Sequence, residues 1–214
     1  MIVIQETTVL GATKRAFLEL LNHAGNTSDP AILREDSATI TVTQPQATSL
    51  AFVIDKNKLS YRANYQHYFP RVDLSLIKAE EIDYTRLFLE DGGIRRIIEL
   101  LHRHPDSRRN LLSSWDTAYL DPSVTGVCIT QLYFRMRNRK LEVHSHARAN
   151  DAYRLLLLDM QLAIAIQAEV ARRLAVPVGV FTHFVDSLHF YKQYEQDIDQ
   201  QRAYLLTAPQ WSMA

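Results

Sequence analysis

Apolar side chains recur along this chain with two different periods, and the periods divide it into helices and strands. Over residues 12–24 (ATKRAFLELLNHA), Phe17, Leu20, Leu21 and Ala24 fall at helical spacing and predict an amphipathic helix. Residues 37–43 alternate around Ile40 and Val42, and 49–54 have the composition of another short strand. Residues 56–90 follow no single period, although Tyr61, Tyr65, Tyr68, Phe69 and Tyr84 make them rich in aromatic rings. Gly92-Gly93 interrupts the chain, and Ile94, Ile97, Ile98, Leu100 and Leu101 then predict a second helix that stops before Pro105. Strands are expected near 110–117, 126–136 and 140–148, the last two joined through Asn138-Arg139 as a hairpin. Helices mixed with adjacent antiparallel strands predict an α+β fold. With no repeat or linker composition along 1–214, the expectation is a single domain.

The strongest periodic signal is DAYRLLLLDMQLAIAIQAEVARRL, which predicts a long helix over 151–174 with Asn150 as its N-cap and Asp151 in its first turn. Apolar residues occupy nearly every face of it until Arg172, the mark of a helix buried within a domain. Asp159 stands inside that run, between Leu158 and Met160. A carboxylate there costs several kcal/mol unless it is paired or protonated. On a continuous helix Asp151 and Asp159 would lie roughly 80° apart, two turns along one side. A buried arginine partner would explain Asp159 as structure alone.

Composition narrows the chemistry. Lys+Arg 24 against Asp+Glu 24 gives a net charge of zero, which argues against a nucleic-acid or anionic-membrane coat. The six glycines are too scattered to form either a dinucleotide-binding fingerprint or a phosphate-binding P-loop. A single cysteine, Cys128, excludes an internal disulfide and a multi-cysteine zinc site. The start of the chain lacks a signal layout, and no apolar run approaches a membrane span, so the expected location is cytoplasmic.

Several residues could carry chemistry, each with a plain structural alternative. Cys128 lies in the strand-like run GVCITQLYF, where a lone cysteine is as a rule a small core residue. Arg108, Arg109 and Arg148 could cradle a phosphate, or simply be solvated. His144 and His146 would share one face of a strand, but the sequence places no third ligand, so no metal is expected. His183 and His189 read as ordinary half-buried histidines.

The order of these residues is more telling than any one of them. Pro105-Asp106-Ser107-Arg108-Arg109, followed by Trp115, Cys128, Leu141, Arg148, Asp151, His189 and Tyr191, resembles the thymidylate synthase family, with no net gap from Arg108 to Tyr191. Upstream, Arg34 and Tyr84 also resemble family positions. The resemblance implies a mixed sheet with a long buried central helix in a back-to-back homodimer. It implies that Cys128 adds to C6 of a pyrimidine nucleotide, with 5,10-methylenetetrahydrofolate as cosubstrate and Tyr84 in the catalytic set. Arg148 and Arg34 would hold the 5′-phosphate, while Arg108 and Arg109 would reach in from the partner subunit. His189 and Tyr191 would bind the sugar hydroxyl. Asp151 would contact the base or the folate, and Leu155 would line the folate side.

Departures from the family pattern sharpen that expectation. Asp159 stands where thymidylate synthases carry an asparagine that donates to uracil O4 and accepts from N3–H. An ionised carboxylate cannot donate; it suits cytosine, accepting from the 4-amino group and sharing a proton with N3. The aspartate form resembles the cytidylate and deoxycytidylate 5-hydroxymethylases, which finish with water instead of hydride. Ala149 replaces a phosphate-contacting serine and leaves room for a ribose 2′-hydroxyl, which ranks CMP above dCMP. Ile129, Tyr133, Leu155 and Leu157 also depart from the pattern, as does the tail TAPQWSMA, while Glu80 and Glu81 are candidates for the family glutamate. Ile129, Leu155, Leu157 and the unplaced glutamate favour an alternative, a nucleotide-binding regulator without folate chemistry. Thymidylate synthesis from dUMP is a third reading, which Asp159 disfavours. Neither a membrane nor a nucleic acid is expected as a partner.

Overall fold

A computed structural model describes residues 1–22, 27–46, 92–124 and 126–207. Residues 49–54, Tyr84, Glu80 and Glu81, and nearly all of the C-terminal tail lie outside the described residues. The elements are β1 (Ile2–Glu6), α1 (Val9–Asn22), β2 (Ile32–Val42), α2 (Gly93–Arg103), β3 (Leu111–Ser113), β4 (Ile129–Arg137), β5 (Lys140–Asp151), α3 (Leu156–Leu174), β6 (Val178–Tyr191) and α4 (Glu195–Thr207). The fold is α+β. Among the described residues the strands form one mixed six-stranded sheet in the order β1-β2-β6-β5-β4-β3. β1 runs parallel to β2 and β5 parallel to β6, while β2–β6, β4–β5 and β3–β4 are antiparallel.

Strand alternation decides which sheet face is buried. Ile4, Ile40, His183, Ser145 and Leu132 fall in register across five strands, and all are buried. The next row, Val3, Thr39, Phe184, His146 and Gln131, lies on the opposite face, where Val3 and Phe184 are exposed. Against the buried face, α1 sets Val9, Ala12, Ala16, Phe17 and Leu20, with Phe17 edge-on to Phe190 at 4.8 Å between ring centres. α3 lies in the same core, buried from Leu156 through Met160 and again along Leu162–Gln167. Buried Gln167 fastens it to the strands, its amide donating to the carbonyls of Leu141 (2.8 Å) and Gly179 (3.1 Å).

Two sequence expectations are corrected in this part of the chain. Asn150 is not a helix cap and Asp151 is not on a helix: β5 continues through both, pairing Asn150 with Leu188 and Asp151 with His189 on β6. Pairing along β6 outweighs the local capping signal, and the helix begins only at Leu156 after a turn. The strand expected at 140–148 is therefore longer, and Asp159, not Asp151, is the acidic residue of the first helical turn. The Asn138-Arg139 hairpin is present, with φ of 50° and 59°, the conformation of a two-residue turn matched to strand twist. β1, β6 and α4 had no counterpart in the sequence reading.

Candidate active site

Topology brings most of the candidate residues to one end of the sheet. Cys128 directly precedes β4, and because β4 is antiparallel to β5, that start lies beside the C-terminal end of β5: the Arg148 amide donates to the Cys128 carbonyl at 3.0 Å. β6 is parallel to β5, so its last residues, His189 and Tyr191, come to the same end. β2 is antiparallel to β6, which puts Arg34 opposite Phe190. α3 leaves β5 through a short turn, so Asp159 returns over the same end. Arg34, Cys128, Arg148, Ala149, Asp151, Leu155, Asp159, His189 and Tyr191 are thus gathered from four adjacent strands and one helix.

Arg148 is tied to the segment that carries the cysteine. Its Nε donates to the Val127 carbonyl at 2.8 Å and its Nη2 to the Gly126 carbonyl at 3.3 Å. Its guanidinium lies 5.8 Å from the centre of the Trp115 ring. A guanidinium has five N–H donors, so three remain for an incoming anion. Gly126 makes room for this, since a Cβ there would stand 3.2 Å from Arg148 Nη2. Cys128 forms no disulfide and is partly exposed.

His189 and Tyr191 meet edge-to-face at 4.8 Å. His189 Nδ1 lies 3.1 Å from the Ser187 carbonyl, which accepts only, so the ring proton sits on Nδ1. In the neutral ring Nε2 is then the acceptor; it is buried and has no hydrogen-bond partner among the described residues. Burial raises the Tyr191 phenol above its usual range, and the negative charges of Asp151 and Cys128 add to this, against the opposing pull of Arg154. The phenol is therefore a neutral hydroxyl at physiological pH.

Asp151 carries out local work that the sequence did not reveal. One carboxylate oxygen accepts from the backbone amides of Tyr153 (2.9 Å) and Arg154 (3.1 Å), which closes the turn between β5 and α3. The other is held by the Arg154 guanidinium. Arg154 lies over the rings of Tyr194 (4.9 Å) and Tyr191 (5.6 Å); although burial opposes its charge, the Asp151 carboxylate raises its pKa. A carboxylate offers about four acceptor positions, so one remains for a ligand.

Asp159 is buried, 8% exposed, and its Oδ2 accepts from Asn150 Nδ2 at 3.0 Å. His183, expected to be half-buried, is fully enclosed and touches the same amide. Leu155 packs against the core at the start of α3. Among the described residues no group of three or more His, Cys, Asp or Glu is arranged to hold a metal ion, and no helix is long and apolar enough to cross a membrane.

Arg108 and Arg109 are not with the others. They are exposed in the turn between α2 and β3; Leu111 pairs with Tyr133, so the same antiparallel register sets Arg109 level with Arg135 on β4. Arg135 lies seven residues beyond Cys128, roughly 23 Å at 3.3 Å per residue. Two neighbouring clefts of about 710 and 380 Å³ open there, both lined by Pro105, Asp106, Ser107 and Arg108.

A sequence model of the family described as thymidylate synthase matches residues 90–211. The chain belongs to the thymidylate synthase family. The thymidylate synthase of Streptococcus sanguinis strain SK36 is 27% identical over 159 residues, covering 72% of this chain and 54% of that protein. That of Streptococcus suis strain 05ZYH33 is 31% identical over 119 residues, covering 53% of this chain and 43% of that protein. The chain thus spans about half the length of these curated relatives. All the candidates from Arg108 to Tyr191 fall within the family match; Arg34 lies outside it.

Proposed function

We propose that this chain is a folate-dependent pyrimidine-nucleotide C5 hydroxymethylase acting on CMP or dCMP. The observation that carries the reading is the buried Asp159 carboxylate. It sits at the end of the sheet where Cys128, Arg148, His189 and Tyr191 converge, at the position where thymidylate synthases carry asparagine. A carboxylate accepts from the cytosine 4-amino group and shares a proton with N3, whereas uracil O4 would face it as a second acceptor. Arg148 takes the 5′-phosphate with its uncommitted donors, and Arg34 assists. The open acceptor on His189 Nε2 and the neutral Tyr191 hydroxyl suit a sugar hydroxyl.

In the proposed reaction the Cys128 thiolate adds to C6, and C5 becomes nucleophilic. Arg148, held against the cysteine's own segment, favours the thiolate. Methylenetetrahydrofolate supplies the one-carbon unit. The remaining acceptor position on Asp151 and the apolar flank of Leu155 fit a pterin edge. C5 would attack the folate methylene; loss of the C5 proton with departure of tetrahydrofolate would leave an exocyclic methylene on the ring. Addition of water to that carbon, with elimination of the Cys128 thiolate from C6, would yield the hydroxymethyl nucleotide. Ala149, beside Arg148, places a methyl where a hydroxyl would crowd a ribose, which favours CMP. Tyr84 belongs to the proposed catalytic set through the family pattern alone.

The proposed assembly is a back-to-back homodimer. The outer sheet face presents Val3, Phe184, Tyr133 and Leu111, a surface suited to a second copy. Arg108 and Arg109, far from Cys128 in their own chain, would complete the phosphate cradle of the partner. A second reading, a nucleotide-binding regulator without folate chemistry, draws on the Asp151–Arg154 pair, which occupies much of the carboxylate expected to face the folate.

The test is base exchange at Asp159. Tritium release from [5-³H]CMP, [5-³H]dCMP and [5-³H]dUMP in the presence of methylenetetrahydrofolate is followed for the intact protein and for Asp159→Asn. The expected result is cytosine preference in the first and a shift toward uracil in the second. An unaltered preference would refute the base-reading role. Binding of CMP without release from any nucleotide would select the regulator, and dUMP as the preferred substrate of the intact protein would select thymidylate synthesis.

A further inference from the structure

Four buried polar side chains form a line from the middle of the sheet to the proposed base-reading carboxylate. Ser145 Oγ lies 2.8 Å from His183 Nδ1, His183 Nε2 lies 3.4 Å from Asn150 Nδ2, and Asn150 Nδ2 lies 3.0 Å from Asp159 Oδ2. Ser145 and His183 are wholly enclosed, Asn150 is 1% exposed and Asp159 8%. Ser145 and His183 are cross-strand neighbours on β5 and β6, a rigid base for the other two. A polar chain buried in a largely apolar core has a desolvation cost that apolar residues would avoid.

The direction of every bond in the line follows from one group. An amide nitrogen only donates, so both Asp159 Oδ2 and His183 Nε2 must accept from Asn150. His183 therefore carries its single proton on Nδ1 and gives it to Ser145 Oγ. Burial, with the nearby charge of His146 adding to it, pushes His183 down to about 3, so the ring stays neutral and holds this one tautomer. Turning the Asn150 amide over would set its carbonyl against the carboxylate, a contact tolerable only if Asp159 carried a proton. Orientation of the amide and ionisation of Asp159 are thus linked.

We propose that Asn150, oriented by His183 and Ser145, is the positioning residue that keeps Asp159 an ionised acceptor and thereby sets the preference for a cytosine over a uracil ring. This rests on the base-reading role of Asp159 given above. A protonated carboxyl is shaped like the amide of asparagine: its O–H can donate to uracil O4 and its carbonyl can accept from N3–H. Asp159 alone therefore does not exclude uracil. The amide donor does, because it stabilises the carboxylate and leaves the shared proton on cytosine N3. A proton on N3 also withdraws electrons from the ring, which assists thiolate addition at C6.

Binding of CMP and UMP to the intact protein is measured by calorimetry without folate, then repeated for Asn150→Ala and His183→Gln. The ratio of the two affinities should fall about tenfold to a hundredfold in Asn150→Ala, as expected for loss of a hydrogen bond to a charged group, and by less in His183→Gln. Asn150→Ser, which restores a donor, should recover part of the ratio. A merely structural role would weaken both nucleotides alike, and that result, or an unchanged ratio in Asn150→Ala, overturns the proposal while leaving the function intact. If the intact protein itself prefers UMP, the base-reading function falls and the proposal with it. Nitrogen NMR of the intact protein checks the wiring without any variant: a neutral His183 protonated on Nδ1 is expected, and protonation on Nε2 would overturn it.

Discussion

Replacing Arg148 with alanine separates phosphate binding from the integrity of the cysteine segment. In the folded chain the guanidinium spends two donors on the carbonyls of Val127 and Gly126, at 2.8 and 3.3 Å, and leaves three. Hydrogen bonds to a charged group contribute about 1.5–3 kcal/mol each when well shielded. Arg148 is exposed, so the two carbonyl bonds together are worth about 1–2 kcal/mol, or a melting shift of roughly 2–8 °C for a chain of this size. Loss of one phosphate contact at the full value weakens nucleotide binding roughly 10- to 150-fold. Calorimetric titration with CMP and with cytidine isolates that part, because cytidine has no phosphate to lose. The expected result is that Arg148→Ala weakens CMP by that factor and cytidine by no more than a few-fold. Arg148→Lys should fall between, since an ammonium keeps the charge but not the planar fork. Equal losses for CMP and cytidine would refute the phosphate role and leave Arg148 as a brace for the cysteine segment only.

Other outcomes follow from the same geometry. Gly126→Ala should weaken CMP binding several-fold with little effect on melting, because the new Cβ would stand 3.2 Å from Arg148 Nη2; unchanged CMP affinity would contradict the packing. His183 stays neutral in the fold, at about 3, while in the unfolded chain it titrates near 6.5. Its contribution is therefore complete above pH 6.5 and is lost as pH falls toward 3, at a slope approaching 1.4 kcal/mol per pH unit. Urea unfolding at pH 6.5, 5.5 and 5.0 should show that slope in the intact protein and a flatter one in His183→Gln; identical slopes would refute it. Ala175 ends α3 at φ 54°, where glycine is free of strain, so Ala175→Gly should raise stability by up to about 1 kcal/mol in urea, and a loss would count against that backbone.

The periodic parts of the chain were readable because one face of each is buried. Phe17 and Leu20 mark α1, and Ile94, Ile97, Ile98 and Leu101 mark α2, at the spacing of a helical stripe. The hairpin was legible because Asn138 accepts a left-handed conformation more easily than other residues. The start of α3 was not. Asn150 and Asp151 carry every local sign of a helix cap, yet pairing with β6, fourteen residues of strand far along the chain, holds both extended. β6 itself alternates buried with exposed residues but is interrupted by Asp186 and Ser187, which hid its length. At the site, family order alone suggested Cys128, Arg148, His189 and Asp159, and the strand order explains how they meet. The Asn150–His183–Ser145 line and the Asp151–Arg154 pair had no local signal. Each joins residues whose individual polarity gives no hint of the partner, and only the pairing of β5 with β6 and the turn into α3 bring them into reach.

The proposed activity is one-carbon transfer to a cytosine nucleotide through Cys128. Its most direct test is the mass of the product formed from CMP, dCMP and dUMP with methylenetetrahydrofolate, measured beside Cys128→Ala, with CMP binding to that variant confirmed. The 5-hydroxymethyl nucleotide is expected from the intact protein and none from Cys128→Ala. A methylated product, a product from dUMP alone, or unchanged turnover in Cys128→Ala would contradict it.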